Sequence, residues 1–131
     1  MDLPVVKIIV QRFDMDCSVA GLAMLLGVSY ENALVAIAQD HPDVCVVGAW
    51  TKHLKAAARR LGYTLHERKR YDVETDTGLL NVTCPQWKHD HLVVLKEGLI
   101  IDTDGTVFDS DVYFQSQQAT PGTLLVAEKR G

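Results

Sequence analysis

The sequence predicts an α+β domain, with helices in the first half and antiparallel strands in the second. Three observations carry that expectation. Ser18-Val19-Ala20-Gly21-Leu22-Ala23-Met24-Leu25-Leu26 is apolar on every face and sits between Asp16, a good N-cap residue, and Gly27, a good C′ residue. From Thr51 to Gly62, Leu54, Ala57, Ala58 and Leu61 oppose Lys52, Lys55, Arg59 and Arg60, the strongest amphipathic pattern in the chain. After Tyr63 the pattern changes to alternation and short β-branched runs.

In chain order, Val5 to Val10 reads as a strand or extended lead-in that delivers Gln11 to the first helix. That helix must be buried, because it offers water no polar side. Ser29 restarts a helix with Glu31 in its first turn and Leu34, Ile37 and Ala38 on one side, and Pro42 lies beyond its end. His41 to Gly48 has no clear period, and Val44-Cys45-Val46-Val47 is expected as a short buried stretch. Thr51 is expected to cap the next helix and Gly62 to close it. Strands are expected at Tyr63 to Glu67, at Gly78 to Thr83 before Pro85, and in a hairpin of Leu92–Leu95 and Leu99–Asp102 around Lys96-Glu97-Gly98. Both strands of that hairpin are apolar on both faces, so both faces should be covered. Thr103 to Thr106 is a turn, Val107-Phe108 can pair again, and Gly122 to Glu128 supplies a last strand.

Composition narrows the class. The chain is long enough for one domain with a real core, expected as a single domain over 1–131. With 47% apolar and 23% charged residues it should be globular and soluble. No run approaches the length of a membrane span, and Met1-Asp2-Leu3-Pro4 lacks the start of a signal peptide, so a cytoplasmic protein with no membrane partner is expected. A net charge of −4 argues against nucleic acid as a partner, Arg68-Lys69-Arg70 reading as a solvated strand face. Cys17, Cys45 and Cys84 are odd in number and widely spaced, which suits free thiols rather than a disulfide framework.

Cys17 stands at the start of the apolar helix, where unpaired N–H groups and the dipole favour a thiolate. It is a candidate nucleophile, though a lone cysteine also serves as a small apolar core residue. A catalytic thiol needs a base and a group that orients the base. The hairpin offers both. A two-residue turn at Lys96-Glu97 sets His91 directly opposite Asp102, and a turn at Glu97-Gly98 makes the pair diagonal on the same face. A three-residue loop separates them to opposite faces. Asp102 also ends an apolar run, where an idle carboxylate is costly.

Gln11, the five-residue gap, Cys17 with its apolar helix, then His91-Leu92-Val93-Val94-Leu95 and Asp102 before Gly105 resemble the papain-like cysteine peptidases. More closely they resemble the branch that cleaves double-glycine leader peptides from bacteriocin precursors. Gly48-Ala49-Trp50 leading into Leu54 to Gly62 is similar to that branch as well, and the resemblance covers most of Gln11 to Gly105. It implies a papain-like fold, with Cys17 as nucleophile, His91 as general base and later acid, and Asp102 as orienting group. It also implies that Gln11 and the Cys17 N–H stabilise the oxyanion. Two positions depart from the branch: Ser18 stands where Gly is usual, and Thr103 where Pro commonly follows the Asp.

The expected activity is cysteine-dependent hydrolysis of a peptide or amide bond in a peptide or protein substrate, with no cofactor and an oligomeric state left open. Papain-like proteins also deamidate or transfer acyl groups, and a non-catalytic binding or inhibitor domain reusing the groove is the rival class. A metal site of Cys84, His89 and His91 with Cys45 has an unusual spacing for zinc, so no metal is expected. His89 ranks second to His91 as base, while His41, His53 and His66 read as surface or satisfied histidines. Trp50 and Trp87 are candidates to line a peptide groove, with core packing as the alternative. Asp14 and Asp16 read as caps, or as acidic neighbours of the groove.

Overall fold

The structure, a computed structural model, describes residues 6–130. Four helices come first: α1 (Cys17–Leu26), α2 (Tyr30–Ala38), the single turn α3 (Val44–Val47) and α4 (Thr51–Arg60). Strands β1 (Tyr63–Arg68), β2 (Thr77–Thr83), β3 (His91–Lys96), β4 (Leu99–Ile101) and β5 (Val107–Asp109) follow. Helix α5 (Ser110–Gln117) then leads into β6 (Thr120–Lys129). The strands form one antiparallel sheet in the order β1-β6-β2-β3-β4-β5.

Helix α1 is buried along nearly its whole length, as its apolar composition requires, and packs on β2 and β3. Gly27 ends it in the left-handed conformation at φ 70°, donating its N–H to the Ala23 carbonyl. Ser29 caps α2 by accepting from the Asn32 N–H at 3.0 Å. The buried side of α2 is Tyr30, Ala33, Ala36 and Ile37, so Leu34 and Ala38 flank it rather than centre it. Leu54, Ala57 and Ala58 of α4 complete this layer.

The sheet is apolar on both faces because both are covered. Val94 and Leu79 face the α1–α2–α4 layer. Val93, Leu95, Leu80 and Ile100 face a second cluster built around Tyr113 of α5.

Several expectations need correction. Residues 6–10 are an extended lead-in without a strand ladder, and Val5 lies outside the described residues. Val44 to Val47 is one helical turn in which only Val44 is buried, Val46 and Val47 being solvent-facing. The cap of α4 is Trp50 rather than Thr51, because the His53 ring at the third helical position accepts the Trp50 N–H at 3.0 Å. Helix α5 interrupts the expected run of strands; a lead of Ser110-Asp111 and a weak apolar period hide it.

The β3–β4 turn is Glu97-Gly98, since Lys96 pairs with Leu99 and Val94 with Ile101. Both turn residues have positive φ, 47° and 86°, the pattern of the tight hairpin turn whose twist matches the strands. A Cβ on Gly98 meets Glu74 Oε2 at 2.8 Å in addition to the unfavourable backbone. Gly98→Ala is therefore expected to lower stability by more than about 1 kcal/mol. Glu97→Asn, which tolerates the left-handed region, should raise the denaturation midpoint. Urea melts of both variants check the two signs.

Candidate active site

Cys17, His91, Asp102 and Gln11 line one cleft of about 990 Å³ between the N-terminus of α1 and the β3–β4 hairpin. The even-length turn places His91 and Asp102 diagonally on one face, as its pairing demands. His91 Nε2 and Asp102 Oδ1 are 2.7 Å apart. The other ring nitrogen is left for the Cys17 side of the cleft. Trp87 meets the His91 ring edge-on, with centroids 5.9 Å apart.

Electrostatics tie the three groups together. Burial pushes the His91 pKa down, but the bond to Asp102 and the neighbouring Cys17 outweigh it and raise it to about 10. Burial pushes Asp102 up, and His91 together with the Thr103 and Asp104 N–H groups reverses this, leaving it below the ordinary carboxylate value. Imidazolium and carboxylate stabilise one another in a partly dry setting.

The start of α1 owes its chemistry to Asp16. Its carboxylate, fully buried, does not cap the helix; it turns back to accept the Arg12 and Phe13 N–H groups, each at 2.9 Å. Tyr30 donates to the same carboxylate at 2.6 Å. The Asp16 carbonyl takes up the Val19 and Ala20 N–H groups. Among the described residues no hydrogen bond engages the N–H of Cys17 or Ser18, so both remain available beside the thiol.

Gln11 is held by three contacts. Its backbone N–H donates to the Thr103 carbonyl at 2.7 Å, its Oε1 accepts from the Thr103 hydroxyl, and its Nε2 donates to the Phe13 carbonyl at 2.6 Å. One amide N–H is committed to Phe13, and among the described residues the second has no partner.

Trp50 and Trp87 both line the cleft, Trp50 being 69% exposed at its mouth and Trp87 set against the His91 ring. His89 and Asp14 also line it and are exposed. Asp16, expected as a helix cap, instead organises the loop before the nucleophile. Cys84 is buried and its Sγ donates to the Gln117 carbonyl and to Gln86 Oε1, each at 3.4 Å. Cys45 lies 3.7 Å from the Tyr30 hydroxyl. Tyr30 and Thr103 escaped the sequence reading; only a buried partner for Asp16 could have pointed to Tyr30.

No family profile matches the sequence, and no curated protein matches it. Solved structures do share the fold. One is a double-glycine-motif protease from an AMS/PCAT transporter in complex with the leader peptide, which aligns with a TM-score of 0.65 and 20% identity over 95% of this chain and 91% of its own. Another is the peptidase domain of Streptococcus ComA, a bifunctional ABC transporter involved in a quorum-sensing pathway. It aligns with a TM-score of 0.63 and 20% identity over 95% of this chain and 99% of its own. The chain therefore has the papain-like peptidase fold that its residues resembled.

The raised pKa of His91 fixes the sign of a pH effect. A histidine raised from 6.5 to about 10 contributes stability that is complete below about 6.5 and disappears as pH climbs through about 10. Asp102, lowered from 3.8, contributes above that value and loses its share as pH falls through its folded-state value. Melting temperatures should thus decline between pH 7 and 10 more steeply in the wild type than in His91→Gln, and calorimetry across that window checks it.

Proposed function

We propose that this chain is a cysteine peptidase in which Cys17 is the nucleophile, His91 the general base and acid, and Asp102 the group that orients His91. The observation that carries this reading is the 2.7 Å bond between His91 and Asp102 in the cleft that Cys17 enters from a helix start. The attacking species in such chemistry is the sulfur as thiolate, and Cys17 presents it at a helix start across from His91.

Attack on a substrate carbonyl forms a C–S bond and drives negative charge onto the carbonyl oxygen. The Cys17 N–H, unpaired at the helix start, and the second N–H of Gln11 are the donors for that charge. His91 then gives its proton to the leaving amine as the C–N bond breaks, and a thioester remains. Neutral His91 next takes a proton from water, the hydroxide adds to the thioester and expels Cys17 as thiolate, and the acid product departs, leaving His91 as imidazolium for the next cycle. Asp102 keeps the ring in place through both halves and stabilises its charged form.

The cleft volume lies near the top of the range of about 300–1,000 Å³ usual for small-ligand sites. An extended peptide segment fits it better than a compact metabolite does, with Trp50 and Trp87 as apolar walls. The shared fold with a leader-bound protease favours a peptide carrying a double-glycine leader as substrate. Three free thiols suit a reducing, cytoplasmic setting.

Mass spectrometry of synthetic double-glycine leader peptides should show cleavage by the wild type and none by Cys17→Ala at equal melting temperature. His91→Ala should lower kcat/KM about 100-fold or more. Undiminished cleavage by Cys17→Ala sinks the reading. The pH profile makes a second check. Cleavage needs the imidazolium as acid, so it should fall as pH rises through about 10, whereas alkylation of Cys17 by iodoacetamide should not fall there.

A further inference from the structure

We infer that Thr103 is a positioning residue whose hydroxyl sets the Gln11 amide for the oxyanion, an inference that rests on the peptidase reading above. Thr103 follows Asp102 directly and is fully buried. Its three polar groups are all used on the site. The N–H donates to Asp102 Oδ1 at 2.7 Å, the carbonyl accepts the Gln11 N–H at 2.7 Å, and the hydroxyl donates to Gln11 Oε1. Asp102 Oδ1 lies 3.5 Å from the same hydroxyl, a far weaker contact.

A primary amide can turn end for end and exchange its donor and acceptor sides. Gln11 cannot do so without loss, because its oxygen is taken by a hydroxyl donor and its nitrogen by the Phe13 carbonyl, which accepts only. Thr103 therefore holds an N–H of Gln11, rather than Oε1, on the cleft side. An oxygen there repels the developing oxyanion. One residue thus fixes both the acceptor that orients His91 and the amide that meets the carbonyl oxygen, although Gln11 and Thr103 are 92 positions apart.

Thr103→Val separates the two roles. It preserves shape, the β-branch and the backbone N–H on Asp102, and removes only the hydroxyl. Two reactions of the same thiol read the result. Iodoacetamide alkylation forms a C–S bond and expels iodide with no oxyanion. Acylation by the p-nitrophenyl ester of N-acetylglycylglycine forms a thioester, expels p-nitrophenolate and passes through an oxyanion.

In Thr103→Val the acylation rate should fall about tenfold or more while alkylation stays within about twofold, and Thr103→Ser should restore acylation. Melting curves of both variants confirm that each is folded. Acylation of Thr103→Val at the wild-type rate overturns the inference. An equal fall in both reactions also overturns it, since the effect then runs through Asp102 or the fold. If wild-type Cys17 reacts no faster than Cys45 and Cys84, and independently of His91, the peptidase reading itself fails and this inference falls with it.

Discussion

The site depends on a parity constraint in one hairpin. Side chains alternate along a strand, so whether His91 and Asp102 share a face is decided by the number of residues in the turn between β3 and β4. Glu97-Gly98 gives the even count, and the cost is a non-glycine residue held at φ 47°. Both strands are locked by apolar residues on both faces, so a slip of one position would drive a whole set of core side chains to the wrong layer. The hairpin that orients the imidazole is thus fixed by the same burial that holds the sheet together.

A second constraint governs the thiol. A helix start normally satisfies its N–H groups with a capping side chain, and Asp16 is chemically suited to that task. Here its carboxylate is drawn away by the Arg12 and Phe13 N–H groups and by the Tyr30 hydroxyl. The loop before the nucleophile is braced, and the first turn of α1 is left with donors to spend on a substrate. A cap that closed on its own helix would have given a more stable helix end and a poorer site.

The helical layer, the covered hairpin and the candidates Cys17, His91 and Asp102 could be read from the chain because each leaves a local signal, whereas Gln11 came only from the family resemblance. Uniform apolarity marked α1, opposed faces marked α4, and doubly apolar strands marked the covered hairpin. What escaped was set by distant partners. Nothing near Tyr30 announces that its hydroxyl serves Asp16, and nothing near Thr103 announces Gln11. The cap of α4 moved to Trp50 because a histidine ring took the place of the usual acceptor. Helix α5 was invisible because its apolar residues Val112, Tyr113 and Phe114 are adjacent rather than spaced, and of these Tyr113 is buried, Phe114 packs partly against the core and Val112 is exposed. The roles of Cys17, His91, Asp102 and Gln11 rest on chemistry that reaction rates, not packing, will judge.

The last strand does not lie at the margin of the sheet. β6 is inserted between β1 and β2, and among the described residues β1 has no other strand neighbour. A growing chain that has not yet released Thr120–Lys129 from the ribosome leaves β1 unpaired and β2 open along one side. Leu125, which comes from β6, is also part of the cleft wall. Thr120–Lys129 must be clear of the ribosome before the enclosure around the thiol is complete, so a shorter nascent fragment carries the nucleophile without its finished surroundings.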